Sequence, residues 1–176
     1  SLVGSEMCIR DSNTPERFLK GDYFLTDQQE EYKNAIIDGI EKKKVLFGLT
    51  GRPGTGKTLL LYDIARELSK KYRCLIVHCA PLSQGHEYLS KHLENCCITT
   101  PKDFMQFQDG FLQSDVFLFD EFQRAYENVF DVIKAITQKA EKRVIISFDF
   151  GQMLSHAEED RNLLCLLYTS DAADDK

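Results

Sequence analysis

Gly51-Arg52-Pro53-Gly54-Thr55-Gly56-Lys57-Thr58 (51–58) follows the apolar run Val45-Leu46-Phe47-Gly48-Leu49-Thr50 and precedes a helical pattern over 57–71. It is a full G-x-x-x-x-G-K-[ST] pattern, known as Walker A. Glycines at these positions let the backbone wrap closely and aim its N–H groups inward. The helix that follows turns its free N–H groups and positive dipole end toward the same space. Lys57 can reach terminal phosphates, and Thr58 can offer a hydroxyl to Mg²⁺. Gly51 to Thr58 are therefore the candidate nucleotide-binding residues. With strand before and helix after, the motif predicts an α/β domain.

Working outward, short apolar runs alternate with helical patterns. Strands are expected at Val45–Thr50, Cys74–Cys79, Cys97–Thr99, Val116–Phe119 and Arg143–Phe148. Between them, helices are expected over 57–71, 86–94, 101–107 and 125–140, the last with Val129, Ile133, Ile136 and Ala140 inward. Upstream, Thr26 reads as an N-cap with Gln29 as its capping-box partner. Tyr32, Ala35, Ile36 and Ile40 then form one apolar face. Residues 13–24 show no clear element. This alternation means a mainly parallel sheet flanked by helices.

Val116 to Glu121 reads as the second half of the site, a Walker B strand. Asp120 emerges where a buried strand ends, the end at which such sheets bind ligands, and would hold Mg²⁺. Glu121 beside it is placed to orient or deprotonate an attacking water. Gln152, just past the last strand, is a candidate for contacting a γ-phosphate or its water, with Asp149 supporting it. The catalytic candidates are thus Glu121, Lys57 and Gln152, with ATP and Mg²⁺ as the implied cofactors.

The 176 residues suit one domain, and 22 basic against 28 acidic residues give net −6. That balance argues against a dominant basic patch but permits a local nucleic-acid groove. No run approaches the roughly 20 apolar residues of a membrane span. Both ends read as foreign. Met7-Cys8-Ile9-Arg10-Asp11-Ser12 is a translation of the transposase-adapter sequence ATG-TGT-ATA-AGA-GAC-AG. The reverse complement of that element, read from its second base, gives Cys165-Leu166-Leu167-Tyr168-Thr169. Residues 1–12 and 165–176 are therefore expected to be adapter-derived, and 13–164 an incomplete native domain. Setting aside Arg10, Lys176 and the acids Glu6, Asp11, Asp171, Asp174 and Asp175 moves the net charge to −3. The remaining cysteines, Cys74, Cys79, Cys96 and Cys97, lack zinc-ligand spacing and read as reduced thiols of a cytoplasmic protein.

Asp120-Glu121-Phe122-Gln123 resembles motif II of superfamily 1 helicases, D-E-x-Q. Leu25-Thr26-Asp27-Gln28-Gln29 resembles their L-[NT]-x-x-Q motif, and Asp149-Phe150-Gly151-Gln152 their G-D-x-x-Q motif, with Phe148 where a glycine is usual. Thr50 to Tyr62, His78 to Leu82, Asp120 to Arg124 and Ser147 to Leu154 together resemble the Schlafen-group-three-like DNA/RNA helicase ATPases. The resemblance implies a RecA-like P-loop NTPase fold, here truncated, and an ATP-driven helicase or translocase motor. It implies that Gln29 reads the adenine edge and that nucleic acid is a partner. It also implies a second RecA-like domain, absent here, that supplies arginines to the phosphoryl group. Ser83, Gln84 and His86, with Thr100, Lys102 and Phe104, are the candidates it implies for contacting the strand, while Thr100 also reads as an N-cap, Phe104 as a core residue and His86 as an ordinary surface histidine. The alternatives are a P-loop nucleoside or nucleotide kinase and a non-translocating ATP-driven signalling or defence switch.

Overall fold

Among the described residues five β-strands carry the architecture: β1 (Leu46–Thr50), β2 (Cys74–His78), β3 (Cys96–Thr99), β4 (Val116–Asp120) and β5 (Arg143–Phe148). All pair in parallel, in the order β1-β5-β4-β2-β3. The computed structural model describes residues 14–51, 54–125, 127–139 and 141–149. The adapter-like ends, together with Gln152, Arg52, Pro53 and Ala140, lie outside the described residues.

Every residue of β2 and of β4 is buried, which is why these strands read as continuous apolar runs rather than alternating ones. Alternation instead sorts side chains between the two faces. Phe47, Leu49, Ile76, Leu118 and Ile145 pack against one set of helices: α1 (Pro15–Leu19), α2 (Asp27–Glu41), α3 (Lys57–Leu68) and α4 (Gln84–His92). Leu75, Val77, Phe117, Phe119, Val144 and Ile146 pack on the opposite face, toward α5 (Pro101–Gln106) and α7 (Glu127–Thr137). The short α6 (Gln108–Phe111) joins that side through Phe111. Each fully buried side chain of this size contributes about 1.5–3 kcal/mol. Phe104, Phe119, Phe122 and Phe130 form a chain of edge-to-face contacts with centroids 5.0–5.9 Å apart, a geometry that suits the ring quadrupoles.

The expected strands and main helices are present, with shifts at their ends. The helix after the glycine loop stops at Leu68, before Lys70 and Lys71. The helix expected over 125–140 runs Glu127–Thr137, preceded by a 3₁₀ turn at Phe122–Arg124. Two features differ from expectation. Residues 15–19 form a helix, with Thr14 as N-cap and Pro15 in its first turn. On α2, Ile36 and Ile40 are buried as expected, but Tyr32 and Ala35 face solvent. The helix is rotated so that Lys33 points inward, to an ion pair with Asp63.

The sheet order sets up the site. β5 is inserted between β1, which leads into the glycine loop, and β4, which ends at Asp120. The carboxyl ends of these three strands therefore lie side by side.

Candidate functional site

β1 delivers the chain at Thr50, and α3 begins at Lys57. The turn between them needs left-handed backbone at Gly54 (φ 79°) and Gly56 (φ 84°), which costs an L-residue about 1–2 kcal/mol and glycine almost nothing. Gly56 has a second constraint: a Cβ there would sit 2.6 Å from Gln29 Nε2. No side chain caps α3 at Gly56, and a helix start of this kind turns N–H groups and a positive dipole end toward an anion. Lys57 Nζ donates to the Gly51 carbonyl at 2.7 Å, which folds the lysine over the loop.

Gln29 is built into this loop. Its N–H donates to Thr26 Oγ1 at 3.1 Å, and its Oε1 accepts the Thr26 N–H at 2.9 Å, completing the expected capping box. Its Nε2 donates to the Thr55 carbonyl at 3.2 Å. Both ends of the amide are therefore engaged within the chain. Contact with a base edge would use the second Nε2 proton, the second Oε1 lone pair, or exchange of the Thr55 carbonyl.

A buried ionic hub sets the helix that carries Gln29. The Tyr23 hydroxyl donates to Asp63 Oδ1. Lys33 Nζ lies 2.8 Å from Asp63 Oδ2, an ionic contact rather than a well-directed hydrogen bond. Arg66 approaches Oδ1 at 3.7 Å, donates to the Phe18 carbonyl at 2.6 Å, and stacks over the Phe18 and Tyr23 rings. Burial, reinforced by the Asp63 carboxylate, pushes the Tyr23 hydroxyl far above its ordinary value and keeps it a donor. The hub fastens α1 and α2 onto α3.

Asp120 closes the other side. It is 1% exposed, and Oδ2 accepts from Thr58 Oγ1 at 3.0 Å and from His78 Nδ1 at 3.1 Å. Oδ1 accepts the Glu121 N–H at 3.0 Å. A hydroxyl and a carboxylate from positions 62 residues apart thus meet at the mouth of the glycine loop. These hard oxygen donors suit Mg²⁺.

Glu121 sits at φ 54°, in the left-handed region. For a glutamate this is strained, as residues at functional positions often are. Burial, then the adjacent Asp120 carboxylate, raise its pKa above the usual carboxylate range, a shift toward that of a useful base. Gln123 fixes its direction. Gln123 Nε2 donates to Glu121 Oε2 at 2.9 Å, and Gln123 Oε1 accepts the Asp149 N–H at 3.0 Å. One amide, 5% exposed, thus ties the candidate base to the end of β5. Sequence reading used Gln123 only as a motif letter. An amide three residues beyond the strand-end Asp120 was the available signal.

The strand-contact candidates fare unevenly. Phe104 is fully buried against Phe117 and Phe119, so it is a core residue and cannot stack on a base. Thr100 Oγ1 accepts the Asp103 N–H and caps α5. His86 is 1% exposed and pairs with Ser83 at the start of α4, so it too is no surface contact. Gln84 and Lys102 are exposed. Arg124 is exposed on the 3₁₀ turn. Among the described residues, no helix is long and apolar enough to cross a membrane, and no group of three or more metal-binding side chains occurs.

Comparison with solved structures gives the fold independently. The flagellar accessory protein FlaH from Methanocaldococcus jannaschii aligns with TM-score 0.52 and 17% identity, over 72% of this chain and 68% of that one. DnaA from Aquifex aeolicus, bound to AMPPCP, aligns with TM-score 0.52 and 19% identity, over 89% of this chain and 48% of that one. The fold is a RecA-like P-loop α/β domain. No curated protein matches in sequence. Residues 43–170, which hold the glycine loop, Asp120 and Glu121, match the Schlafen group 3, DNA/RNA helicase domain. The chain belongs to the Schlafen group 3 DNA/RNA helicase domain family.

Proposed function

We propose that the chain is the ATP-binding and hydrolysing motor domain of a DNA/RNA helicase or translocase, dependent on Mg²⁺ and on a second RecA-like domain for full activity. The observation that carries this reading is the meeting of Thr58 and Asp120, 3.0 Å apart, beside a strained Glu121. Phosphates would lie against the N–H groups of the 51–58 loop and the start of α3, with Lys57 exchanging the Gly51 carbonyl for a phosphate oxygen. Thr58 and Asp120 would hold Mg²⁺, which when bound neutralises charge developing on the phosphates. Glu121, held by Gln123, would accept a proton from the attacking water. Gln29 would offer its amide to the base edge. AMPPCP, carried by the neighbour DnaA, is an ATP analogue and supports an adenine nucleotide as ligand. Stabilisation of the transferring phosphoryl group by arginines is assigned to the second domain, so turnover by this chain should be slow.

Calorimetry with ATP and MgCl₂ tests the reading. The 176-residue chain should bind, Lys57→Ala should bind roughly a hundredfold more weakly, and Glu121→Gln should bind but not hydrolyse. A folded chain that binds no nucleotide overturns the reading, as does brisk hydrolysis that Glu121→Gln leaves intact. Binding to single-stranded DNA or RNA should be feeble and fall steeply with salt.

A further inference from the structure

Two histidines lie behind Asp120, where apolar side chains would pack as well. His78 is fully buried on β2, in direct register with Asp120 on β4. His86 is 1% exposed in the first turn of α4. Their ring centroids are 4.2 Å apart, with planes tilted by 37°.

The hydrogen bonds fix the tautomers. A carboxylate only accepts, so His78 Nδ1 carries the proton it donates to Asp120 Oδ2 at 3.1 Å. His86 Nδ1 accepts the Ser83 N–H at 3.0 Å and lies 2.9 Å from Ser83 Oγ, so its proton is on Nε2. Both Nε2 atoms are buried without a hydrogen-bond partner among the described residues. Leaving them so costs stability, and neither local role requires a histidine. A glutamate or glutamine would complete the same capping box at Ser83, and a leucine would fill the strand position.

We propose that His78 and His86 form a positioning relay that sets the orientation of the Asp120 carboxylate according to the conformation of the segment between β2 and α4. Ser83 ends that segment and holds His86. His86 packs on His78, and His78 holds the oxygen that Thr58 also touches. The Cys79 N–H, donating to the Asp120 carbonyl at 2.9 Å, ties the start of the same segment to the same residue. His86 also walls an open groove of about 290 Å³ with Leu82, Glu87, Ser90, Lys91 and Ile98, so whatever moves the segment or fills the groove acts directly on the relay. The proposal rests on Asp120 as the magnesium ligand, and the test separates the two.

The first measurement needs no nucleotide. Imidazole ¹⁵N spectra of the 176-residue chain should show His78 as the Nδ1–H tautomer, and Ser83→Ala should shift the His78 ring resonances as well as those of His86. A His78 carrying its proton on Nε2 overturns the relay. The second measurement titrates Mg²⁺ against binding of a fluorescent ATP analogue. His78→Leu should raise the half-saturating Mg²⁺ about tenfold, the usual scale for loss of a partner to a metal ligand. His78→Asn, whose amide takes the place of Nδ1, should stay within about twofold of the native value on the same scale. His86→Leu, which touches neither Asp120 nor nucleotide, should shift Mg²⁺ about threefold in the same direction, with metal-free affinity moving less than about twofold. A His78→Leu or His86→Leu chain with native magnesium dependence overturns the relay, as does failure of His78→Asn to rescue. Native spectra in a chain that binds no nucleotide would instead remove the nucleotide reading and leave the relay's geometry standing.

Discussion

The two halves of the site are built from different materials. The half carried by β1 is a backbone device: left-handed glycines at 54 and 56 and uncapped N–H groups at the start of α3. The half carried by β4 is a side-chain device: Asp120, Glu121, Gln123, His78 and Thr58 in one bonded set, with a glutamate forced into a conformation that the other half gives to glycine. Backbone devices depend on residue type at fixed local spacing. Side-chain devices depend on partners brought together by the sheet. The first is therefore broken by sterics, the second by charge and by loss of single bonds.

Acid offers the largest separation between them. His86 is buried, and burial, then His78, lower its pKa from 6.5 to about 4. A group whose folded pKa is depressed contributes stability that is present above the unfolded value and is lost as pH falls through the folded one. Denaturant melts should thus lose about 3 kcal/mol between pH 6.5 and pH 4 from this group. His86→Leu should remove that part of the slope. An unchanged slope in the variant would show that His86, which packs on the side-chain half through His78, is not the source of the acid lability.

Gly56→Ala tests the backbone half and should cost about 2 kcal/mol, from left-handed strain and displacement of the Gln29 amide. Nucleotide affinity should fall with it in the same calorimetric titration. Gln123→Ala should cost about 1–2 kcal/mol in chemical denaturation, because it strands the Asp149 N–H. Nucleotide binding should survive while turnover drops roughly tenfold, as the glutamate loses its direction. Glu121→Gly has the smallest and opposite effect on stability. It should gain about 0.5–1 kcal/mol by removing the left-handed strain and abolish hydrolysis. A loss of stability there would mean that Glu121 is not strained by its setting.

Sequence reading served the two halves unequally, for the same reason. The Thr26–Gln29 capping box and the glycine pattern are local, and the structure has the box, left-handed Gly54 and Gly56 and a helix from Lys57 where the residues predict them. The Asp120 partner Thr58 was legible because both motifs imply one metal. The rest depended on register. That His78 would face Asp120 required knowing that β2 pairs with β4. That Gln123 would reach Asp149 required β5 to lie beside β4. The turned face of α2 followed from an ion pair between Lys33 and Asp63, a contact no helical period encodes. The Pro15–Leu19 helix is too short to show a period at all. Phe104 stays open between stacking surface and core in the sequence, because an aromatic after a strand suits both, and burial decides for the core.

The place of β5 has a consequence for how the molecule is made. Leu46 pairs with Val144 and Val116 with Arg143, so β5, the latest in sequence of the described strands, is the wedge that joins the two halves. Closing so long a loop is slow, because its entropy must be lost before any contact rewards it. Until residue 148 has emerged, β1 and β4 have no common neighbour in the sheet, and only the packing of α3 on β2 and β4 brings Thr58 toward Asp120. A nucleotide that needs both halves of the site at once would be held firmly only after the β5 pairing has formed.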